Sequence, residues 1–415
     1  MELPLVFGFP RDQGKAPIDR QRMHLGLLNL SDPLWTAGQT FTGLLANVLG
    51  SAPDVRVTLL TDGQKAGVPG IASVDLETMI PSQQLADKIR RRLGRARPFN
   101  RLEEAVRQNG IDVVLPAFDS LPGIPAAVVA WIPDFQHHHA GDFFSADDIR
   151  WRNDVAGRVS RDCNRVLFSS RDAESTFQNL YPQYADRSAA IPFPSSLAIS
   201  GLSEPADVGT RKKYHIPEKF VFVPNQFWKH KNHPAVIRAL RILRDRGVDA
   251  HCVFTGLPHD SRDPQNGYLS RILQQICEED LAGSISVLGF ISRKELIDLF
   301  RSASLVIQPS LSEGWSTSVQ DALALGKPLI CSDLPVHREQ APGALGFFGG
   351  NNPEALADLL AEHWAGLPAG PDAASEEAGL AREKEHVKIY RSKIIQLCRE
   401  ALADHQAPHW KRKGS

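Results

Sequence analysis

Gln308-Pro-Ser-Leu-Ser-Glu-Gly-Trp-Ser-Thr-Ser-Val-Gln-Asp-Ala-Leu-Ala-Leu-Gly-Lys-Pro328 is the stretch whose reading decides how this chain folds. It follows an apolar run ending at Ile307, opens into a loop of small residues, and continues into an apolar helical segment, Thr317–Leu325, closed by Gly326. Strand, loop and helix in that order make half of a parallel βαβ unit. Such a loop brings the helix start, Trp315 to Ser318, to the carboxyl edge of a sheet, where unpaired amides favour an anion. Asp321 sits inside the helix among Val319, Ala322, Leu323 and Leu325. A carboxylate there is either buried with hydrogen-bond partners or placed on an exposed stripe. Glu313, taken alone, reads equally as a solvent-facing loop residue.

The same alternation runs outward in both directions. Downstream of residue 200, candidate strands are Phe220–Val223, Cys252–Thr255, Ile285–Leu288, Leu305–Ile307 and Leu329–Cys331; upstream they are Leu25–Leu30, Val55–Leu60, Ile111–Leu115, Ala126–Ala130 and Arg165–Phe168. Helical patterns lie between them, among them Thr40–Leu49, Asp87–Leu93 and a helix opened by the capping box of Ser292 and Glu295. Around Phe193–Thr210 the pattern dissolves into Pro, Ser, Gly and Ala and then restarts. The expected architecture is α/β: a Rossmann-like domain over 1–200, a second over 201–380, facing each other across a cleft, and a C-terminal helix with a basic tail over 381–415. Ala365–Glu377 reads as a linker into a last helix near Glu383–Ala403, which is expected to pack back on the first domain.

Bulk properties narrow the class. A length of 415 residues exceeds one ordinary core, and a net charge of -1 gives no global attraction to nucleic acid. No apolar run approaches the ~18 residues of a membrane span, and no apolar run follows a basic head at the start, so neither a span nor a signal peptide is expected. Cys163, Cys252, Cys277, Cys331 and Cys398 are scattered, which predicts a reducing, cytoplasmic setting and no structural zinc.

A second informative segment is Val221-Phe-Val-Pro-Asn-Gln-Phe-Trp-Lys-His-Lys-Asn-His233, a strand running into a basic loop and then a helix near Pro234. Lys229 and Lys231 could hold a diphosphate as point charges, with Asn225 and Asn232 adding amide hydrogen bonds. The alternative is a solvated lysine pair beside a helix start.

Together these two segments resemble the retaining GT-B glycosyltransferases of family four, which carry an E-x7-E element after the fourth strand of the donor domain. Here the element is Glu313 and Asp321, with Asp in the second place. The resemblance implies that Glu313 meets hydroxyls of the transferred sugar, that Asp321 meets the ribose, and that Gly314, Trp315, Ser316, Thr317 and Ser318 approach the sugar and diphosphate. Lys231-Asn232 match the end of the family's basic element; the arginine position falls on Gln226, for which Lys229 is the candidate substitute. Asn225, Gly289 and Phe290 complete the expected donor side. The implied activity is transfer of a hexosyl group, mannose-like first, from a guanosine or uridine diphosphate sugar to a glycan or glycolipid acceptor, with retention.

In the first half, Ala130-Trp-Ile-Pro-Asp-Phe-Gln-His-His-His-Ala-Gly-Asp142 follows an apolar strand. Three successive histidines on an extended chain alternate in direction, and no further pair stands at ligand spacing, so a metal is not expected. By the same resemblance His137 is the reacting-centre histidine and, with Lys231 and Glu313, a catalytic residue; Asp134 and Gln136 stand beside it on the acceptor side. The loop Asn29–Thr40 carries Gly38 at a helix start, where a phosphate or acceptor could approach. The basic run Arg90–Arg97 beside Leu93 and Phe99 reads either as a contact with anionic lipid or as a solvated helix end.

No Asp-x-Asp occurs, so leaving-group charge falls to Lys231, Lys229 and the helix start near Ser316, and no cofactor is expected beyond the nucleotide sugar. Two rivals share the architecture: a nucleotide-sugar 2-epimerase, and a non-catalytic partner in polysaccharide assembly. A dehydrogenase is disfavoured, because no G-x-G-x-x-G follows the first strand.

Overall fold

The computed structural model describes residues 22–29, 36–62, 68–79, 100–202, 209–258 and 267–407. The basic run Arg90–Arg97, the predicted helix Asp87–Leu93, the tail from His409 and the middle of the loop Asn29–Thr40 lie outside the described residues.

Apolar runs long enough to be buried on both faces become central parallel strands. Among the described residues the first sheet contains β1 (Met23–Asn29), β2 (Val55–Thr61), β3 (Ala72–Asp75), β4 (Val113–Ala117), β5 (Ala127–Ile132), β6 (Arg165–Phe168) and β7 (Ser188–Ala190). Its order is β3-β2-β1-β4-β5-β6-β7. The second contains β8 (Phe220–Pro224), β9 (His251–Thr255), β10 (Ile285–Gly289), β11 (Leu305–Gln308), β12 (Leu329–Ser332) and β13 (Gly346–Phe348), in the order β10-β9-β8-β11-β12-β13. Every pairing is parallel. β4, β5, β8 and β11 are buried along their full lengths, and each sheet lies between two apolar clusters.

Both orders reverse at the strand entered first, which puts a crevice between the loops after β1 and β4 and another between the loops after β8 and β11. The two Rossmann-like domains turn these edges toward each other, and residues of both line one cleft. Three edge strands escaped the sequence reading: β3, β7 and β13 have three or four residues each and are mostly half-buried or exposed, so they carry no apolar run.

The last helix, Ala373–Gln406, begins ten residues earlier than its apolar pattern suggested and takes up part of the expected linker. Asp372 caps it by accepting from the Ser375 amide, at 3.1 Å. Its first turns press on the end of the helix Thr317–Ala324. A Cβ on Gly379 would lie 2.5 Å from the Ala324 carbonyl oxygen, and one on Gly326 only 2.1 Å from that of Ser375. Further along, Tyr390, Ile394, Cys398 and Ala401 join the core of the first sheet. One helix thus straddles both domains. No helix among the described residues is long and apolar enough to cross a membrane.

Candidate active site

The floor of the second-domain wall is an ion pair. β11 ends at Gln308, whose Nε2 donates to Glu313 Oε1 at 2.8 Å and to Ser310 Oγ at 3.0 Å. Lys231 Nζ donates to the same Glu313 oxygen, and the two side chains are 12% and 6% exposed. Burial would raise the Glu313 carboxyl, but the Lys231 charge, with His230 and His337 nearby, outweighs it and holds the group down at about 2. The Glu313 carboxyl is therefore ionised at neutral pH.

Lys231 arrives through a 3-10 turn, Lys229–Lys231, in which successive side chains diverge by about 120°. That geometry corrects one expectation. Lys229 points to solvent and does not line the cleft; His230 is buried and does, with its ring 6.2 Å from that of Phe143 in the other domain. Asn232 also serves differently. Held at φ 55°, it donates to the Pro309 and Gly350 carbonyls (3.1 and 2.7 Å) and so braces the loop rather than reaching the cleft. Asn225 and Gln226 both line it; the Asn225 side-chain nitrogen Nδ2 is buried with no hydrogen-bond partner among the described residues, while Gln226 Oε1 accepts from the Leu257 amide.

The helix Thr317–Ala324 starts at Ser316, whose Oγ accepts from the Val319 amide at 3.3 Å. Its first turn, with Gly314, Trp315, Thr317 and Ser318, lines the cleft. Asp321 is 5% exposed, which selects the buried reading over the exposed stripe. Ser195 Oγ donates to its Oδ1 at 2.6 Å, and Arg293 Nη2 lies 2.9 Å from Oδ2. After β10 the chain turns at Gly289, φ 67°, which leaves Phe290 at the cleft edge, 72% exposed; Gly289 itself does not line the cleft.

On the opposite wall Asp134 and Gln136 face the cleft, Asp134 with Arg152 at 3.6 Å. His137 does not. The short helix Gln136–His139 turns each residue about 100° from the last, so Gln136 faces the cleft while His137 points into its own domain. Its Nε2 meets Asn153 Oδ1 at 3.1 Å, and burial, with the charges of His138 and Arg152, pushes its pKa down to about 4. His137, expected at the reacting centre, therefore does not line the cleft. His138 bonds Asn153 as well, at 2.9 Å, and His139 bonds Thr176 at 3.2 Å, so the three rings are tied to two different helices. Gly38 is also displaced: it lies buried within the helix Thr36–Gly50, and Thr40, Phe41 and Leu44 line the cleft instead. The two walls meet at Gly314, where a Cβ would sit 2.2 Å from the Pro133 carbonyl oxygen.

Lys231, Glu313 and Asp321 therefore border one cleft between the domains. Sequence reasoning missed His230, Gln308, Arg293 and Ser195. Arg293 directly follows the recognised capping serine, a position that could have flagged it; the others carry no local signal.

Comparisons with known proteins agree with this architecture. Residues 210–364 match the family model described as Glycosyl transferases group 1. A Salmonella typhimurium O-antigen chain mannosyltransferase is 25% identical over 123 residues, 29% of this chain and 32% of the relative, so the match spans about a third of that protein. Sucrose-phosphate synthase from Thermosynechococcus elongatus superposes with a TM-score of 0.65 at 16% identity, covering 92% of this chain and all (100%) of that one. A Rickettsia africae glycosyltransferase gives 0.61 at 15%, covering 92% and 99%. Anabaena HepE in complex with UDP and glucose gives 0.59 at 16%, covering 90% and 99%. The fold is GT-B.

Proposed function

We propose that the chain is a retaining glycosyltransferase that moves a hexosyl group, mannose-like, from a guanosine or uridine diphosphate sugar to a glycan or glycolipid acceptor. The observation that carries this reading is the buried Lys231–Glu313 pair beside the first turn of the helix Thr317–Ala324, facing Asp134 and Gln136 across the cleft. The second-domain match to group 1 glycosyl transferases and the nucleotide and sugar bound by Anabaena HepE support it.

In this reading the diphosphate lies against the helix start and Lys231, which meet the charge that develops as the anomeric carbon–phosphate oxygen bond breaks. Glu313 accepts hydrogen bonds from hydroxyls of the transferred sugar, Asp321 faces the ribose, and Phe290 lies at the cleft edge beside the base. The acceptor oxygen bonds to the anomeric carbon on the face the diphosphate leaves, and its proton passes to a donor phosphate oxygen. Lys231 and the helix start take the role that a divalent cation fills elsewhere. The same reading has the reaction run at the cytoplasmic side of the membrane, where lipid-linked acceptors are met.

A thermal-shift screen with UDP- and GDP-sugars tests the donor half, since a ligand of the native state raises its melting temperature. Incubation of the stabilising donor with and without a mannose-terminated acceptor then separates transfer from epimerisation, and the anomeric proton of the product reads the stereochemistry. A donor converted without acceptor, or a product of inverted configuration, rejects the proposal.

A further inference from the structure

We infer that Glu383, on the C-terminal helix and outside the matched domain, is a positioning residue for the donor site. It is buried in the straddling helix and accepts two hydrogen bonds that the second-domain sheet does not supply: from the Ser195 backbone amide at 2.8 Å and from Gln320 Nε2 at 2.7 Å. Those two partners lead to the two ends of the donor wall. Gln320 Oε1 accepts from Gln340, whose Nε2 also donates to the Ser316 carbonyl at 2.8 Å and whose Oε1 accepts from the Ser316 amide at 3.2 Å. Ser195 donates its hydroxyl to Asp321. One carboxylate thereby fixes both the N-cap of the phosphate-facing helix and the orientation of the ribose-facing aspartate.

The segment that joins the domains is drawn into the same arrangement. His386, one turn on from Glu383, bonds the Pro192 carbonyl at 3.0 Å, and Trp315 Nε1 donates to the Phe193 carbonyl at 3.1 Å. The crossing helix cannot drift from the donor helix, because Gly379 and Gly326 bring their backbones into direct contact. Glu383, Gln320, Gln340, Ser195, Ser316 and Asp321 are all buried, so the bonds among them are strong only together; a missing acceptor leaves donors without partners.

The inference rests on the nucleotide-sugar reading, and its test separates the two. Binding of UDP and GDP is measured by calorimetry on the full chain, alongside hydrogen exchange of the free protein over residues 316–325. In Glu383→Gln and in Gln320→Glu one link becomes amide to amide or carboxylate to carboxylate. Each single variant is expected to weaken the nucleotide by roughly tenfold or more and to speed exchange at the helix start, the range expected for a lost charged hydrogen bond. The double exchange Glu383→Gln with Gln320→Glu rebuilds every bond with the charge moved to the other partner, and is expected to recover most of the affinity and protection. A general loss of fold would not be repaired by moving that charge. Single variants that bind and exchange like the parent, or a double exchange no better than the singles, overturn the inference. A parent that binds neither nucleotide overturns the donor reading instead, and the exchange data still decide whether Glu383 holds the helix start.

Discussion

The two walls of the cleft are built on the same sheet topology, yet they hold their polar side chains to different degrees. On the second-domain wall each carboxylate that faces the cleft is committed: Glu313 to Lys231 and Gln308, Asp321 to Ser195 and Arg293. On the first-domain wall the histidine run turns inward to Asn153 and Thr176, and the cleft face carries Thr40, Gln136, Ser169 and, among the described residues, a single carboxylate, Asp134, which accepts from the Gln136 amide and lies 3.6 Å from the half-exposed Arg152. The difference is one between a wall preorganised for a charged group and a wall that supplies shape and a few adaptable contacts. Preorganised charge is where most catalytic stabilisation resides. Mutations in the second wall should therefore be far more damaging than those in the first.

The largest expected effect follows directly. Lys231→Ala removes the ammonium bonded to Glu313 and leaves that carboxylate buried without its paired charge. Turnover should fall by about 10²–10³-fold, as when a single preorganised donor is deleted from a transition-state site. Steady-state rates with circular dichroism on the same sample check it; full activity in a folded variant would break the comparison at its strongest point. Next comes Gly314, a point at which the walls press on each other. Gly314→Ala puts a Cβ 2.2 Å from the Pro133 carbonyl and 2.8 Å from Asp134 Cβ, so the walls must separate. A misplacement of about 1 Å costs on the order of 10²-fold in rate, and here it should appear with little change in the melting of either domain. Small-angle scattering of the variant should report a more open molecule.

Much of this was legible in the sequence, and the reasons are physical. β8 and β11 are buried on both faces, so they appear as uninterrupted apolar runs, and the loops after them keep Lys231, Glu313 and Asp321 within short stretches of chain. What stayed hidden is what depends on distant segments or on the rotation of a single turn. Ser195, Gln340 and Glu383 reach the donor helix from three separate elements, and no spacing announces that convergence. Lys229 and His230 exchange places because a 3-10 turn separates neighbours by about a third of a revolution. His137 was misplaced for the same reason in a helical turn, since a motif identifies a residue but not the direction in which it points.

His137 offers a smaller effect that sharpens the contrast. Its ordinary pKa of 6.5 falls to about 4 in the folded chain because burial disfavours the imidazolium. Between those values the unfolded chain binds a proton that the folded chain refuses, so this residue costs stability as the pH falls from about 6.5 toward 4. His137→Gln removes that titration. Its turnover should stay within about threefold of the parent, as expected for a substitution away from the reacting atoms, and its deficit in urea melts should be narrower at pH 5 than at pH 7. A drop of several orders in turnover would return His137 to the reacting centre.

The smallest expected effect concerns the lysine that the sequence placed in the phosphate clamp. Lys229 differs from Lys231 by two positions and by the direction of one turn: the first is exposed and outside the cleft, the second is 12% exposed and ion-paired. A solvent-exposed ammonium is screened over about 10 Å at ordinary ionic strength, so its charge would reach the proposed diphosphate only weakly. Lys229→Ala should leave kcat/KM within about twofold at 0.15 M salt and stability within about 0.5 kcal/mol. Lowering the salt should widen the gap slightly, through the rate at which an anionic donor is drawn in, without changing kcat. If Lys229→Ala instead matched the loss of Lys231→Ala, the turn would have to reorganise on binding, and the donor wall would be less preorganised than the hydrogen bonds to Glu313 imply.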